Sequence, residues 1–305
     1  MKGAHLAIVG CGDLGQRVAA RLADASWRIS GLRRDPAALP PGIDGVAVDY
    51  GEPASLGALA ALAPDYLLLT LKPLGRDAEA YRAGFQEATA AVLRGLGSHR
   101  PRGILMVSST RVYAEDAGGW VDEDSPLNCD DPAAEAIIRA ECQLLEEAGV
   151  PVCIVRSAGL YGGDSPYLLR RVAAGEFSPA TPLRYTNRIH RDDLAGLLVH
   201  LLHQGEAGEA WPPLMNAVDD APVSRQAVEQ WLAQALAPAA ASSGAADSRA
   251  SSASESTGES APEAVMAAKG KRIRNRVLHA CGYPLRYPDF RSGYRVALAP
   301  GNRAG

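Results

Sequence analysis

Ile8-Val9-Gly10-Cys11-Gly12-Asp13-Leu14-Gly15 is the stretch on which the fold turns. The apolar run 5–9 that leads into it has strand length, and Leu14, Val18 and Leu22 recur every fourth residue after it, the spacing of one helix face. A Gly-x-Gly-x-x-Gly that leaves a strand and opens a helix fits a dinucleotide. Gly10 permits the tight turn, Gly12 lets a pyrophosphate approach the backbone, and Gly15 lets helix and strand pack closely. The phosphates would then rest on the helix N-terminus at Asp13 and Leu14. A glycine triplet alone also fits an ordinary turn; the strand, loop, helix and second strand around it favour the cofactor.

Working outward, further short apolar runs lie at 28–32, 45–48, 66–71, 103–108 and 152–156. Each is apolar on consecutive residues, the pattern of strands covered on both faces. Helical patterns separate them: 78–96 is a long helix former, and 132–148 ends before Gly149, a natural C-cap. Strand and helix in alternation predict an α/β fold, a doubly wound parallel Rossmann sheet. After Arg156 the alternation loosens, with helices expected at 194–202 and 224–236. Residues 237–264 are Ala, Ser, Gly and Glu with almost no large apolar side chain, so they read as a disordered low-complexity insertion. The expected division is residues 1–158 plus 189–203 for the Rossmann domain. A small C-terminal substrate lobe would take 159–188, 204–236 and 269–305.

The second strand bears on the choice of cofactor. It ends in Gly31-Leu32-Arg33-Arg34, where a site preferring NAD commonly carries an acid for the ribose 2′-hydroxyl. Two guanidiniums suit a 2′-phosphate by charge and geometry, so NADP(H) is favoured over NAD(H), although Asp35 could still meet a ribose.

Thirty-one Lys and Arg against 35 Asp and Glu give a net charge of −4, which excludes a polyelectrolyte as the organising feature. No apolar run approaches the roughly 18 to 20 residues of a bilayer span, and the run before Gly10 is too short for a signal peptide. Five scattered cysteines form no metal or redox pair and read as reduced thiols of a cytoplasmic protein.

Several segments together resemble the extended short-chain dehydrogenases/reductases of the NAD-dependent epimerase/dehydratase group. They are the glycine loop; Val48-Asp49-Tyr50; Ser108-Ser109-Thr110-Arg111-Val112-Tyr113; Val155-Arg156-Ser157-Ala158-Gly159-Leu160-Tyr161-Gly162; and Arg188-Ile189-His190-Arg191-Asp192-Asp193-Leu194-Ala195. The resemblance implies that Asp49 lies near the adenine, that Ser109 polarises a substrate carbonyl or hydroxyl, and that 188–195 supports the substrate lobe. The segment 215–220 also fits that lobe.

One departure stands out. The family places Tyr-x-x-x-Lys on the helix after the fifth strand, where the lysine lowers the tyrosine pKa for proton transfer. Alignment on Ala140-Glu141 puts Ala133 and Ile137 at those positions, and residues 131–138 hold no Tyr or Lys. Tyr113 and Tyr161, in loops leaving strand ends, are the candidate replacements. For both, a packed aromatic whose hydroxyl finds water is the favoured reading. Glu123, Asp130 and Asp131 are nearby acids, with Asp131 a good N-cap before Pro132.

Other constellations weigh less. His200 and His203 are three apart on a helix but lack further ligands, so no metal site is expected. Residues 269–276 carry five cations with helical character and could meet phosphate or nucleic acid, yet Ile273 and Val277 four apart also suit an amphipathic helix. Nucleic acid is disfavoured by the net charge, a membrane partner is not expected, and a homodimer is admitted. Ser108 and Ser109 lack the Gly-x-Ser-x-Gly elbow of a hydrolase. The expected function is therefore that of an NAD(P)-binding protein resembling nucleotide-sugar epimerases, dehydratases and reductases, acting on a hydroxyl or carbonyl. The alternative is a non-catalytic NADP(H)-binding sensor.

Overall fold

A computed structural model of the chain describes residues 3–23, 26–163, 167–237 and 268–298. The strands are β1 His5–Val9, β2 Arg28–Arg33, β3 Asp44–Ala47, β4 Tyr66–Leu69, β5 Gly103–Ser109, β6 Ala117–Val121, β7 Val152–Ser157, β8 Gly159–Tyr161, β9 Leu183–Thr186, β10 Arg188–His190, β11 Leu214–Ala217, β12 Val223–Ser224 and β13 Ala268–Ile273. The helices are α1 Asp13–Leu22, α2 Ala58–Leu62, α3 Ala78–Tyr81, α4 Ala88–Leu96, α5 Pro132–Glu147, α6 Tyr167–Ala173, α7 Arg191–Glu206, α8 Arg225–Leu236, α9 Arg276–Ala280 and α10 Phe290–Leu298.

Seven strands form one parallel sheet in the order β11-β7-β5-β4-β1-β2-β3. Successive residues of the inner strands feed opposite faces, which is why their sequences are apolar throughout. Ala7, Val9, Leu67, Leu69, Ile104 and Met106 join the core that includes Val92 of α4 and Ile137 of α5. Leu6, Ile8, Leu68, Leu105 and Val155 join the core that includes Val18 of α1 and Leu198 of α7. Chain order reverses between β1 and β4, so the glycine loop leaving β1 opens into the crevice where such sheets bind ligands.

Further strands lie outside the main sheet. The strands β12-β9-β13-β6 form a four-stranded sheet, β10 pairs with β8, and Val172, Val228, Leu232 and Phe290 make a small separate core.

Three segments differ from the sequence reading. Residues 269–276 do not form a helix: most of the run is β13, seated between β9 and β6, and α9 starts only at Arg276. Pairing with both neighbours holds β13 extended, and at Gly270, where the register shifts, φ is +75° and a Cβ would lie 2.3 Å from the carbonyl oxygen of Tyr185. Leu214–Ala217, expected in the lobe, is instead the edge strand of the main sheet beside β7. The long helix expected over 78–96 is interrupted by a π-turn, Arg82–Glu87. Gly84 sits within it because the backbone at Lys72 and Pro73 presses close; a Cβ would lie 2.3 Å from the Lys72 oxygen. Apart from Ala237, the expected insertion at 237–264 lies outside the described residues.

Candidate functional site

The three glycines of the loop are glycine for different reasons. Gly10 has a φ of +82°, and a Cβ would lie 2.8 Å from the Thr70 carbonyl oxygen. Thr70 Oγ1 also donates to the Gly10 carbonyl at 2.8 Å, fixing the turn. At Gly15 a Cβ would lie 2.9 Å from Ile8 Cγ2, so helix and strand touch there. Gly12 is exposed, and a Cβ would meet nothing nearer than 3.7 Å, the Gly10 oxygen. Packing within the chain does not require glycine at 12. Gly12 is also the N-cap of α1 and no side chain caps the helix there, leaving first-turn amides for an external acceptor.

The flanking residues complete this cradle. Arg33, at the end of β2, donates from Nη1 to the Cys11 carbonyl at 3.4 Å, so its guanidinium lies against the glycine loop. Arg34 is exposed beside it. Asp35 caps a short turn through Ala37 N at 3.2 Å, which gives its carboxylate a local role. Asp13 pairs with Arg17 and with Arg191 of α7, both at 3.0 Å. Burial would raise the Asp13 pKa, yet these two guanidiniums bring it below the usual range. Leu14 packs on the core, so only its backbone is offered to a ligand. Asp49 Oδ1 accepts from Gly51 N at 3.0 Å, closing the turn after β3. Burial pushes the Cys11 thiol up to about 11, which makes it inert filling.

On the other side of the crevice, Ser109 ends β5 opposite Ser157 of β7, and its Oγ accepts from Arg111 N at 3.2 Å. Ser108 has a different task. It donates to buried Glu141, whose carboxylate is held by Arg156 Nη2 at 2.7 Å and Nε at 3.1 Å. The two tyrosines proposed as proton carriers are both buried. Tyr113, 1% exposed, donates to Asn216 Oδ1 at 2.6 Å with the Arg156 guanidinium 5.0 Å from its ring centre, and burial raises its pKa. Tyr161 donates to the Asp289 carbonyl at 3.1 Å, and burial with the nearby Asp219 raises its pKa further. A phenol that is buried, hydrogen-bonded as a donor and raised in pKa is a packing group rather than a base.

Helix α5 brings Asp131 to the same rim. The carboxylate caps the helix through Ala133 N at 3.1 Å and accepts from Arg111 Nε at 2.8 Å. Ala133 and Ile137 behind it are buried. Glu123 accepts from Asn216 N at 2.8 Å, and Asp130 is exposed. The segment 188–195 anchors the C-terminal part of the chain: Asp193 accepts from Arg286 N at 2.7 Å and Tyr287 N at 2.9 Å, while His190 caps α7. Burial lowers the His190 pKa, so it stays neutral. His200 bonds the Cys281 carbonyl at 2.8 Å and His203 stacks on Trp27, away from one another's chemistry. Among the described residues no group of side chains could hold a metal, and no helix is long and apolar enough to cross a membrane.

A protein related to this chain is YeeZ of Escherichia coli K12, 31% identical over 217 residues, which cover 68% of this chain and 76% of that one. A solved structure from Methylobacillus flagellatus, assigned as an NAD-dependent epimerase/dehydratase, superposes with a TM-score of 0.78 at 28% identity over 99% of both chains. The chain belongs to the NAD-dependent epimerase/dehydratase family. No protein-family model matches it. More distant solved structures share the fold. UDP-glucose 4-epimerase of Thermotoga maritima with UDP-glucose has a TM-score of 0.73 at 12% identity over 98% of this chain and 99% of that one. Human epimerase family protein SDR39U1 with NADPH has a TM-score of 0.66 at 16% identity over 97% and 99%.

One buried pair of this family member went unread in the sequence. Asp219 is 2% exposed, and among the described residues neither its Oδ2 nor the Nη1 of nearby Arg188 has a hydrogen-bond partner. Burial pushes the Asp219 carboxyl up to about 7 against the attraction of Arg188. An unfolded Asp titrates near 3.9, so the folded state retains a proton that the unfolded state has lost. Stability contributed by this group is therefore full below about pH 4, falls as pH rises, and levels off above about 7. Asp219→Asn is expected to remove that slope. Its stability relative to the parent should rise by on the order of 2 kcal/mol between pH 5 and pH 8 in urea unfolding, and a gap that stays constant would refute the buried, protonated carboxyl.

Proposed function

We propose that the protein binds NADP(H) across the glycine loop and acts as an epimerase- or reductase-type enzyme on a hydroxyl or carbonyl of a nucleotide-linked substrate. Gly12 carries this reading. It is the one glycine of the loop whose lack of a side chain the chain's own packing leaves unexplained, and it lies over uncapped helix amides that suit a pyrophosphate. Arg33 and Arg34 would hold the 2′-phosphate, Asp49 the adenosine side, and Ser109 a substrate oxygen. When bound, a nicotinamide supplies or accepts a hydride at a substrate carbon.

The four-stranded sheet β12-β9-β13-β6 and the small core of Val172, Val228, Leu232 and Phe290 would serve as the substrate lobe, which favours an enzyme over a cofactor sensor. All five cysteines are free, in keeping with the cytoplasm, where we place the protein. The choice between cofactors rests on charge. Arg33→Asp is expected to weaken NADPH by about 100-fold, the loss of a charge-assisted pair plus a new repulsion, and NADH by much less. Calorimetric titration of both dinucleotides checks this; equal losses would mean that Arg33 does not read the 2′-phosphate.

A further inference from the structure

Chemistry at a carbon bearing oxygen builds negative charge on that oxygen in one direction of reaction, so the site needs a preorganised positive group or donor beside Ser109. The first turns of α5 offer Ala133, Ala134, Ala136 and Ile137, none of which can donate. Tyr113 and Tyr161 are spent on Asn216 and Asp289. Lys271, the nearby ammonium, is half-buried and bonded to the Tyr113 carbonyl. Arg111 remains. It follows Ser109 by two residues on the ligand-binding edge of the sheet, and its backbone N–H is already bonded to Ser109 Oγ at 3.2 Å.

Its guanidinium is clamped yet accessible. Asp131 engages Nε at 2.8 Å, and the Tyr81 ring centre lies 5.2 Å from Cζ, while the side chain is 47% exposed. Asp131 also caps α5, so the arginine is referenced to a rigid helix end. A half-exposed ion pair of this kind adds little to stability, so the clamp's main effect is on where the guanidinium points. With the carboxylate on Nε, donors of the planar fork remain for a further oxygen.

We propose that Arg111 is a catalytic residue whose guanidinium, together with the Ser109 hydroxyl, binds the reacting oxygen of the substrate. Asp131 and Tyr81 are positioning residues that aim it. This rests on the epimerase- or reductase-type reading above. Arginine keeps its own proton at any working pH, so the proton that the oxygen gains or loses is exchanged with water, to which the half-exposed side chain is open. The substrate class follows: a neutral hydroxyl or carbonyl next to the reacting carbon, needing charge stabilisation rather than a side-chain base.

The test uses the full chain loaded with NADPH, with phenylglyoxal as the arginine reagent, labelling at Arg111 followed by peptide mass spectrometry, and UDP-glucose and UDP-4-keto-6-deoxyglucose as probes. Arg111 should label freely without sugar and about tenfold more slowly with at least one saturating sugar, as expected when a charge-assisted hydrogen bond covers it. Ser109→Ala should reduce that protection. In calorimetry Arg111→Gln should weaken the protecting sugar about tenfold and leave NADPH within about twofold, with Arg111→Lys recovering part of the loss. Labelling that neither sugar slows, or sugar binding unchanged in Arg111→Gln, overturns the assignment. Failure of the parent protein to bind NADPH would instead overturn the cofactor reading, so the two failures are distinct.

Discussion

Gly12→Val is expected to weaken dinucleotide binding by about 100-fold or more while moving the melting temperature by no more than a few degrees, because the position is exposed and valine at the N-cap of α1 costs only about 1 kcal/mol. A Cβ at 12 would meet nothing nearer than 3.7 Å within the chain, and the backbone there is extended rather than left-handed, so the folded protein tolerates a side chain. A pyrophosphate on the α1 amides would not: valine's methyl groups would occupy the space that the phosphates need, and the amides would lose their charge-assisted bonds. Gly15→Val is the contrasting case. Its Cβ would lie 2.9 Å from Ile8 Cγ2, so the cost falls on the fold itself. Calorimetry and thermal melting on both variants separate a ligand glycine from a packing glycine; a Gly12→Val protein that binds normally would show that the loop is only a turn.

The second large effect concerns the buried ion pair beneath Ser108 and Ser109. Glu141 and Arg156 have side chains only 4% and 5% exposed and are joined at 2.7 Å, with the Arg156 guanidinium also lying over the Tyr113 ring. Burial would lower the Arg156 pKa, but the bond to Glu141 outweighs it and holds the group charged. Glu141→Leu leaves that cation in the core without its carboxylate, at a cost of about 3–5 kcal/mol. The melting temperature should fall by roughly 10 °C, since each kcal/mol moves a domain of this size by a few degrees. Pairing it with Arg156→Met removes the stranded charge and should restore most of the loss. If Glu141→Leu alone melted like the parent, the pair would contribute nothing to the fold.

Much of the sheet was legible because inner strands of a doubly wound fold are apolar on every residue. The runs at 5–9, 28–32 and 103–108 match β1, β2 and β5 to within a residue. The glycine loop was legible because it joins two such periodic elements. What escaped the sequence depended on partners distant along the chain. Basic residues at 269–276 suit a helix locally, but pairing with β6 and β9 places most of them on a strand. Leu214–Ala217 is too short to announce which sheet it joins, and Gly84 is explained only by the backbone of Lys72 and Pro73 against it. In the site, Tyr113 and Tyr161 had the right residue type and the right loops, but Asn216 and Asp289, more than 100 residues away, take their hydroxyls. Arg111 was visible in the Ser-Ser-Thr-Arg segment; its clamp by Asp131 and Tyr81 needed three elements brought together.

The central claim is that this crevice holds a nicotinamide dinucleotide, and titration of the unmodified protein with NADPH and NADH by calorimetry addresses it directly. One molecule of NADPH per chain, bound at micromolar concentration or tighter and more strongly than NADH, is the predicted result. No heat of binding from either dinucleotide up to millimolar concentration would contradict it.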